Sequence, residues 1–320
     1  MPSWTKSKRV NSIEEARPAV TDGILLVDKP AGPGSAEMVS RARRATGIRR
    51  IGHTGTLDRF ASGLLVLVVG RATVLADTIL RYDKVYDAVF RAGRFTDTHD
   101  PHGEALEERS AQDCLEFLQR QEARMRDWVE GYAGPHSQIP PDYSALKKDG
   151  KRVSDRVRRG EVVELAPRPV RIYESEVRSI ETDEEGFRIQ CRFRVSSGTY
   201  IRSIVRDFSR DLGFPFFLEG LRRTAVGPFS LEEAWQPEFE AGQPLEIPRI
   251  VPLDQAFPEW HQVRVDVNRA AQLEQGRKIP VPLPAEDGEN FLILRPDGRT
   301  LAIARRDGAA YSLRKVFVDS

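Results

Sequence analysis

One carboxylate in this chain has surroundings that suit nucleophilic or base chemistry. Asp58 ends the segment Gly52–Asp58, which contains two glycines, two threonines and one histidine. An apolar run over residues 63–70 follows and predicts a buried strand. Glycine and threonine at this density indicate a loop of tightly specified backbone geometry. Because no other Asp, Glu or Cys lies nearby to share a metal ion, the pattern favours a nucleophile or base over a metal ligand.

The elements around this loop can be predicted from periodicity. Residues 187–195 alternate strictly between apolar and polar side chains, which predicts a strand with one core face and one basic, solvated face. The apolar spacing then becomes helical over residues 201–212, and Gly213 ends the run. Tyr200 and Arg202 therefore lie at the start of a helix that directly follows a strand.

Other segments give clear local signals. Ser35 is expected to cap a helix that runs to about Thr46, with Gly47 as its stop. The remaining predicted elements are a short apolar strand that begins at Gly23 and is stopped by Asp28-Lys29-Pro30, a strand at 85–90, a helix at 111–130, a basic helix near 150–159 and a hairpin over 291–304.

Composition limits the class of protein. The 320 residues are 40% hydrophobic, which is enough for a sizeable core, and the formal net charge is +1. The two cysteines, Cys114 and Cys191, make no disulfide framework, and no zinc-ligand spacing occurs. No signal peptide or apolar run long enough to span a membrane is present, so we expect a cytoplasmic protein.

Charge is segregated along the chain. Residues 41–50 contain five arginines and no acid, and residues 147–171 contain nine Lys or Arg against four Asp or Glu. Such clusters could present a basic face to phosphate, although the charge pattern taken alone favours ordinary solvated helix faces. Residues 1–22 are polar and are expected to form a flexible tail.

Seven segments, in the same order along the chain, resemble the TruB family of tRNA pseudouridine synthases. One seven-residue motif could arise by chance, but seven collinear motifs make chance an unlikely account. The segments are GILLVDKPAG (23–32), GHTGTLD (52–58), the strand with Tyr86, TDTHDPHG (96–103), QIPPDYSALK (138–147), SSGTYIRSI (196–204) and LRRTAVGPF (221–229).

The resemblance implies a role for each matching residue. Asp58 matches the catalytic aspartate, Tyr86 the tyrosine that stacks on the target base, and Arg202 the arginine that pairs with the aspartate. His53 matches the loop histidine near the flipped nucleotide, and Lys29 lies in a motif that supports the active-site loop. The further substrate or RNA contacts carried over from the matching segments and basic clusters are Lys29, Arg49, Arg50, Lys147, Tyr200, Leu221 and Arg223.

The chemistry is compatible with these roles. Pseudouridine formation breaks a C–N glycosidic bond, turns the uracil and reattaches it through carbon, so no cofactor or metal is expected. A carboxylate can add to the sugar or remove a proton from it, and a guanidinium beside it favours the ionised form. Extruding the base from a folded RNA loop costs a few kcal/mol, which stacking at about 1–3 kcal/mol per base offsets.

The resemblance also implies the architecture and the partner. We expect an α+β protein with a mixed, mainly antiparallel sheet over residues 23–250 and a PUA-like β-barrel over residues 251–320. The implied substrate is uridine 55 in the T loop of tRNA, bound by a monomer.

Alternatives remain open at this point. Asp58 could be a turn or cap residue, Tyr86 could pack in the core, His53 could bind backbone, and Arg202 could be solvated. At the level of function, the alternatives are a non-catalytic tRNA folding chaperone on the same scaffold, an Asp-dependent hydrolase, and an RNA-guided member of the family. Three departures from the family pattern are Ala36, Arg59 and Val74, which replace a histidine, a proline and a lysine.

Overall fold

The computed structural model describes residues 21–141, 147–148, 151–153, 163–237, 248–283 and 286–318, together with residues 156, 159 and 161. The α+β class predicted from the sequence is confirmed. The α-helices are α1 (Ser35–Thr46), α2 (Ala76–Leu80), α3 (Ala111–Glu130), α4 (Ile201–Leu212), α5 (Leu253–Ala256) and α6 (Val267–Glu274). Two 3₁₀ helices cover Gly70–Leu75 and Leu231–Glu233.

Within these described ranges, the strands form two main sheets and two short ribbons. They are β1 (Gly23–Lys29), β2 (Ile51–His53), β3 (Ser62–Val69), β4 (Lys84–Ala92), β5 (Arg94–Thr96), β6 (Ala105–Glu108), β7 (Gly134–Gln138), β8 (Lys147–Lys148), β9 (Lys151–Arg152), β10 (Arg168–Asp183), β11 (Gly186–Val195), β12 (Phe216–Val226), β13 (Phe229–Ser230), β14 (Gln262–Arg264), β15 (Asn290–Leu294), β16 (Thr300–Asp307) and β17 (Ala310–Val316).

The large sheet has the order β1-β3-β12-β4-β11-β10-β7, with β2 beside β3 and β13 beside β12. Its pairs are antiparallel except for β12 against β3, where Arg222 and Arg223 align with Ser62 and Gly63. Strand β12 therefore lies between two strands that are neighbours in sequence, β3 and β4. This insertion places residues 216–226 between two strands that lie more than 100 residues earlier in the chain.

The strands with the clearest patterns form as predicted. Strand β3 is apolar and almost completely buried along its length. Strand β11 buries its apolar positions and turns its arginines outwards. Helix α4 ends at Gly213, whose left-handed φ of 66° suits a residue without a side chain.

Helices α3 and α4 cover one face of the large sheet. Phe90 of β4 stacks on Phe193 of β11 at 5.9 Å between ring centroids, and Phe208 of α4 packs on Phe90 at 5.4 Å. This aromatic packing fixes α4 across β4 and β11. The first turn of α4, which carries Arg202, is thereby held over the strand that carries Tyr86.

The C-terminal sheet differs from the barrel predicted for residues 251–320. Its four strands run in the order β14-β15-β16-β17, and among the described residues β14 and β17 do not pair, so the sheet is open. One face packs on the large sheet through Leu292 and Ile303, which share a buried cluster with Ile24. The other face is covered by α6. Because both faces are buried without closure, no barrel is needed to shield them.

Backbone hydrogen bonds also join strand β1 to the segment that leads into α5. The Ile24 N–H donates to the Val251 carbonyl at 2.9 Å, and the Val251 N–H donates back to the Ile24 carbonyl at 2.8 Å. The domain limits of 23–250 and 251–320 stay a prediction. No helix in the described ranges is long and apolar enough to cross a bilayer.

Candidate active site

The loop that carries Asp58 connects β2 to β3 and is held at both ends. The Thr54 N–H and hydroxyl both donate to the Val66 carbonyl, at 3.1 and 3.0 Å. At the other end, Gly63 has a φ of +102°, and a Cβ there would lie 2.3 Å from the carbonyl oxygen of Arg223. Glycine at this position is therefore required for β12 to pair with β3 beside the loop.

Ser35 fixes the residue before Asp58. The cap predicted for Ser35 is wrong, because the N-cap of α1 is Gly34 and no side chain caps it. The buried Ser35 hydroxyl instead accepts from the Leu57 N–H at 2.9 Å and donates to the Leu57 carbonyl at 3.2 Å. The start of α1 thus anchors the loop that carries Asp58.

Asp58, Arg202 and Asp100 form a line of three charges. Arg202 Nε lies 2.9 Å from Asp58 Oδ2, and Arg202 Nη1 lies 3.4 Å from Asp100 Oδ2. Asp100 is held in turn by the Thr98 hydroxyl at 2.8 Å and the His102 N–H at 3.0 Å. One guanidinium therefore bridges a carboxylate that opens on a cavity and a carboxylate that is buried behind it.

This arrangement controls the ionisation of Asp58. Burial raises the pKa of Asp58 above its ordinary value, the Arg202 guanidinium opposes that rise, and the Asp100 charge adds to it. Arg202 is itself almost buried, whereas 38% of the Asp58 side chain is exposed at the cavity. Asp58 is therefore the member of the set that a ligand can reach.

A cavity of about 480 Å³ lies above this pair. The three residues predicted to be catalytic, Asp58, Tyr86 and Arg202, all line it. Tyr86 is buried within β4 and shares the large apolar cluster with Leu57 and α4. Four of the predicted binding residues line the same cavity, namely His53, Tyr200, Leu221 and Arg223.

These four residues come from three elements, namely β2, the N-terminus of α4 and β12. His53 ends β2, and Tyr200 is the N-cap residue of α4. The Gln138 side chain accepts from the Tyr200 N–H at 2.8 Å and donates to the Tyr200 carbonyl at 3.1 Å. Leu221 and Arg223 both come from β12, the strand inserted between β3 and β4.

Lys29 is not among the cavity-lining residues. Its side chain is completely buried, and its ammonium donates to the carbonyls of Pro30 at 2.9 Å and Pro33 at 3.0 Å and approaches that of Arg59 at 3.5 Å. Burial lowers the pKa of Lys29 to about 8, and the Asp58 carboxylate opposes that shift. Lys29 therefore connects the turn after β1 to the Asp58 loop.

The predicted basic contacts lie elsewhere. Arg49 and Arg50 are exposed and do not line the cavity, and Arg50 Nε donates to the Thr73 hydroxyl at 2.8 Å. Lys147 belongs to the short strand β8, and its side chain lies outside what the structure describes, as does most of the basic segment 149–162. Arg59 is exposed and does not line the cavity.

Three important residues were missed from the sequence. Asp100 lies within the matched segment 96–103, so its motif was seen but its contact with Arg202 was not. Ser35 was assigned to a cap. Lys84 lines the cavity and is almost buried, and the signal that could have found it is its i, i+2 spacing from Tyr86 on one strand face.

No group of three or more His, Cys, Asp or Glu side chains placed to hold a metal ion occurs in the described part of the chain. The charged groups at the cavity are instead the Asp58–Arg202 pair, Asp77, Lys84 and Arg223. Such a site can position a carboxylate against a sugar, stack a base on Tyr86 and attract a polyanion.

Comparison with known proteins gives consistent matches. The sequence model of the TruB family of pseudouridylate synthases, N-terminal domain, matches residues 43–201. A protein named tRNA pseudouridine synthase B from Thermobifida fusca is 38% identical over 94% of this chain and 100% of its own length. One of the same name from Leptospira interrogans is 36% identical over 93% of this chain and 94% of its own.

Solved structures show the same fold. The chain aligns with a structure of a Cbf5–Nop10–Gar1 complex at a TM-score of 0.63 and 22% identity, covering 94% of this chain and 84% of that one. A Nop10–Cbf5 complex of an archaeal box H/ACA particle aligns at a TM-score of 0.60 and 22% identity, covering 95% and 89%.

Proposed function

Because this chain belongs to the TruB family of pseudouridylate synthases, we propose that it isomerises uridine to pseudouridine in tRNA, at uridine 55 of the T loop. Relatives that match along nearly all of this chain carry the name tRNA pseudouridine synthase B. We also propose that the protein acts as a monomer in the cytoplasm, where tRNA is available.

The observation that carries the proposal is the Asp58–Arg202 pair at a cavity lined by Tyr86. Asp58 is the reacting group, either by adding to the ribose or by removing a ribose proton. It must be ionised in both routes, and Arg202 favours the ionised form against the effect of burial. Since the second anchor of Arg202 is the buried Asp100, the guanidinium keeps its orientation when the substrate enters.

In this proposal the cavity receives the extruded base and offsets the cost of extrusion. A nucleotide that leaves an RNA loop loses stacking and pairing at a cost of a few kcal/mol. The Tyr86 ring offers a replacement surface worth about 1–3 kcal/mol, and Leu221 adds an apolar contact on the neighbouring strand. Tyr86 is also within the site where the proton at the new C–C bond must be lost, so we assign it a part in proton transfer.

The test is release of tritium from tRNA transcripts labelled at C5 of uridine, because the new glycosidic bond replaces the C5–H bond. Wild type and Asp58→Asn are compared, and the modified position is mapped. We expect release by wild type from one uridine in the T loop, and none by Asp58→Asn. A transcript with cytidine at that position is the matched substrate control, and it should release none above background.

Other results point to other functions. Tight tRNA binding without release by either protein would favour a folding chaperone. Free uracil in the products would indicate a hydrolase. Release by Asp58→Asn at the wild-type rate would remove Asp58 from the mechanism.

A further inference from the structure

Two buried cations line the cavity apart from the Asp58–Arg202 pair. Lys84 is 6% exposed and Arg223 is 3% exposed. Within the described ranges of the chain, neither has a carboxylate oxygen within 4.0 Å. The nearest acidic neighbour of Lys84 in sequence, Asp83, pairs with Arg194 at 3.3 Å instead. Neither cation is therefore in an ion pair with a described carboxylate, and the acidic groups around them are Asp77, which also lines the cavity, and Asp83, whose charge acts on Lys84.

The Lys84 ammonium is held by two backbone carbonyls. It donates to the carbonyls of Leu80 and Tyr82, at 2.5 Å each. The Leu80 carbonyl also accepts from the Ser197 hydroxyl at 2.6 Å, which ties α2 to the loop before α4. An ammonium has three protons to donate, and no described acceptor takes the third. Lys84 is thus fixed in position with one donor left over at a residue that lines the cavity.

Arg223 is fixed in the same way. Its guanidinium donates to the Leu64 carbonyl at 2.7 Å and to the Gly55 carbonyl at 3.2 Å. In the sheet, Arg223 is directly opposite Tyr86, and Lys84 is two residues before Tyr86 on the same strand face. The two cations and the tyrosine therefore lie beside one another, and the Arg223 charge acts on Lys84.

Buried charge without a counter-ion is costly, and neutral carbonyls compensate for it only in part. The other buried cation at the cavity, Arg202, has two carboxylates for its one charge. The difference indicates that the negative charge for Lys84 and Arg223 comes from the ligand. In an RNA substrate each nucleotide brings one formal negative charge, on its phosphate, whereas the uracil ring is neutral.

We propose that Lys84, beside Arg223, binds a phosphate that flanks the extruded nucleotide. This assignment rests on the proposed function, since it takes the ligand to be RNA. It explains why an ammonium is held rigidly inside the site with a proton unused. It also separates the site into an anionic part, Asp58–Arg202–Asp100 with a formal charge of −1, for the ribose, and a cationic part for the phosphate backbone.

The test is a cycle of changes on both partners. On the RNA side, a T-arm hairpin carries a methylphosphonate, which removes one phosphate charge, on the 5′ or the 3′ side of the target uridine. The ribose next to each methylphosphonate carries a 2′-O-methyl group, because a free 2′-hydroxyl would cleave the uncharged linkage. The reference hairpin for each linkage carries the same 2′-O-methyl group and an ordinary phosphate. On the protein side, Lys84→Met removes the ammonium and keeps most of the side-chain length. The dissociation constant is measured for every combination.

A charge-assisted hydrogen bond in a buried site corresponds to about a 10- to 100-fold change in affinity. We expect wild type to lose that factor for one of the two methylphosphonates, and Lys84→Met to lose it on unmodified RNA. Lys84→Met should lose little more on the sensitive methylphosphonate. Arg81→Met is the matched control, because Arg81 is exposed, directly follows α2 and does not line the cavity. That variant should keep the full methylphosphonate penalty.

The proposal would be overturned if the affinity losses from Lys84→Met and from the methylphosphonate multiplied independently. It would also be overturned if the affinity of wild type were unchanged by both modified linkages. The test of wild type on the two modified linkages needs no protein variant, so it can overturn the proposal even where Lys84→Met does not fold. Tritium release by wild type on the unmodified hairpin is measured alongside. Normal release without coupling between Lys84 and a phosphate would refute this inference alone, whereas absent release would refute the proposed function.

Discussion

Replacing Arg202 by methionine should affect both the rate and its pH dependence. Two unit charges 2.9 Å apart interact by about 6 kcal/mol at an effective dielectric constant near 20. Because 38% of the Asp58 side chain is exposed, solvent screening reduces the useful part to about 2–4 kcal/mol. We therefore expect the maximal rate of Arg202→Met to fall by about 30- to 1,000-fold.

The pH dependence of Arg202→Met tests the cause of this loss. Arg202 lowers the pKa of Asp58 against burial and the Asp100 charge, so its removal raises that pKa further. In the proposed mechanism, activity needs the ionised Asp58 carboxylate and is lost as the pH falls through its pKa. The acidic limb of the pH–rate profile should thus move to higher pH in Arg202→Met. Single-turnover tritium release over a pH series measures both the limb and the plateau.

The matched control for Arg202→Met is Arg210→Met on the same helix. Arg210 is exposed and pairs with Asp207 and Asp211, so its loss should leave the acidic limb in place. An acidic limb at the same pH in Arg202→Met and wild type would refute the reasoning. It would mean that the guanidinium does not set the ionisation of Asp58.

Three further predictions follow from the same contacts. Asp58→Asn should raise the melting temperature at pH 7, because burial raises the folded-state pKa of Asp58 and the ionised carboxylate therefore destabilises the fold. This destabilisation is complete above the folded-state pKa, and the difference in melting temperature should vanish by about pH 3. Asp100→Asn should move the acidic limb to lower pH, opposite to the shift in Arg202→Met, because the Asp100 charge raises the pKa of Asp58. Ser35→Ala leaves the Leu57 N–H unpaired at about 1–3 kcal/mol, so single-turnover release should slow by about tenfold or more at unchanged tRNA affinity.

The controls for these variants are on the same elements. Ser40→Ala removes an exposed α1 hydroxyl whose hydrogen bond in the described part of the chain goes to the Ala36 carbonyl of the same helix, and it should leave the rate unchanged. A Ser35→Ala enzyme with normal rate and weaker tRNA binding would contradict the role of an anchor. A stability difference between wild type and Asp58→Asn that is constant with pH would show that ionisation is not its source. If the acidic limb moved in the same direction in Asp100→Asn and Arg202→Met, the opposite effects of Asp100 and Arg202 on the pKa of Asp58 would be contradicted.

The sequence predicted those parts of the site that lie within single motifs. Asp58, Tyr86 and Arg202 were each found from a short segment, and the structure brings all three to one cavity. Strand β11 and helix α4 were predictable because one face of each is buried, which imposes a period of two or of 3.6 on the residues. Their roles in catalysis stay a prediction that the experiments above address.

What the sequence could not supply is contact between distant segments. The contact of Ser35 with Leu57 and that of Asp100 with Arg202 depend on how α1 and α4 dock on the sheet, and periodicity is silent on docking. Lys84 resembles any lysine at the start of a strand until β12 is placed beside it. The open C-terminal sheet follows from the same cause, because only the packed structure shows that its second face is covered.

The insertion of β12 between β3 and β4 has a consequence for folding during synthesis. The strands on either side of it are synthesised early, yet each has a pairing edge that only residues 216–226 can fill. Until then the nascent chain carries two incomplete half-sheets, whose open edges are sites for pairing with other chains. Such long-range closure slows folding, and chains cut short before β12 should aggregate. Since Leu221 and Arg223 lie on this strand, the cavity is completed only when the sheet itself closes.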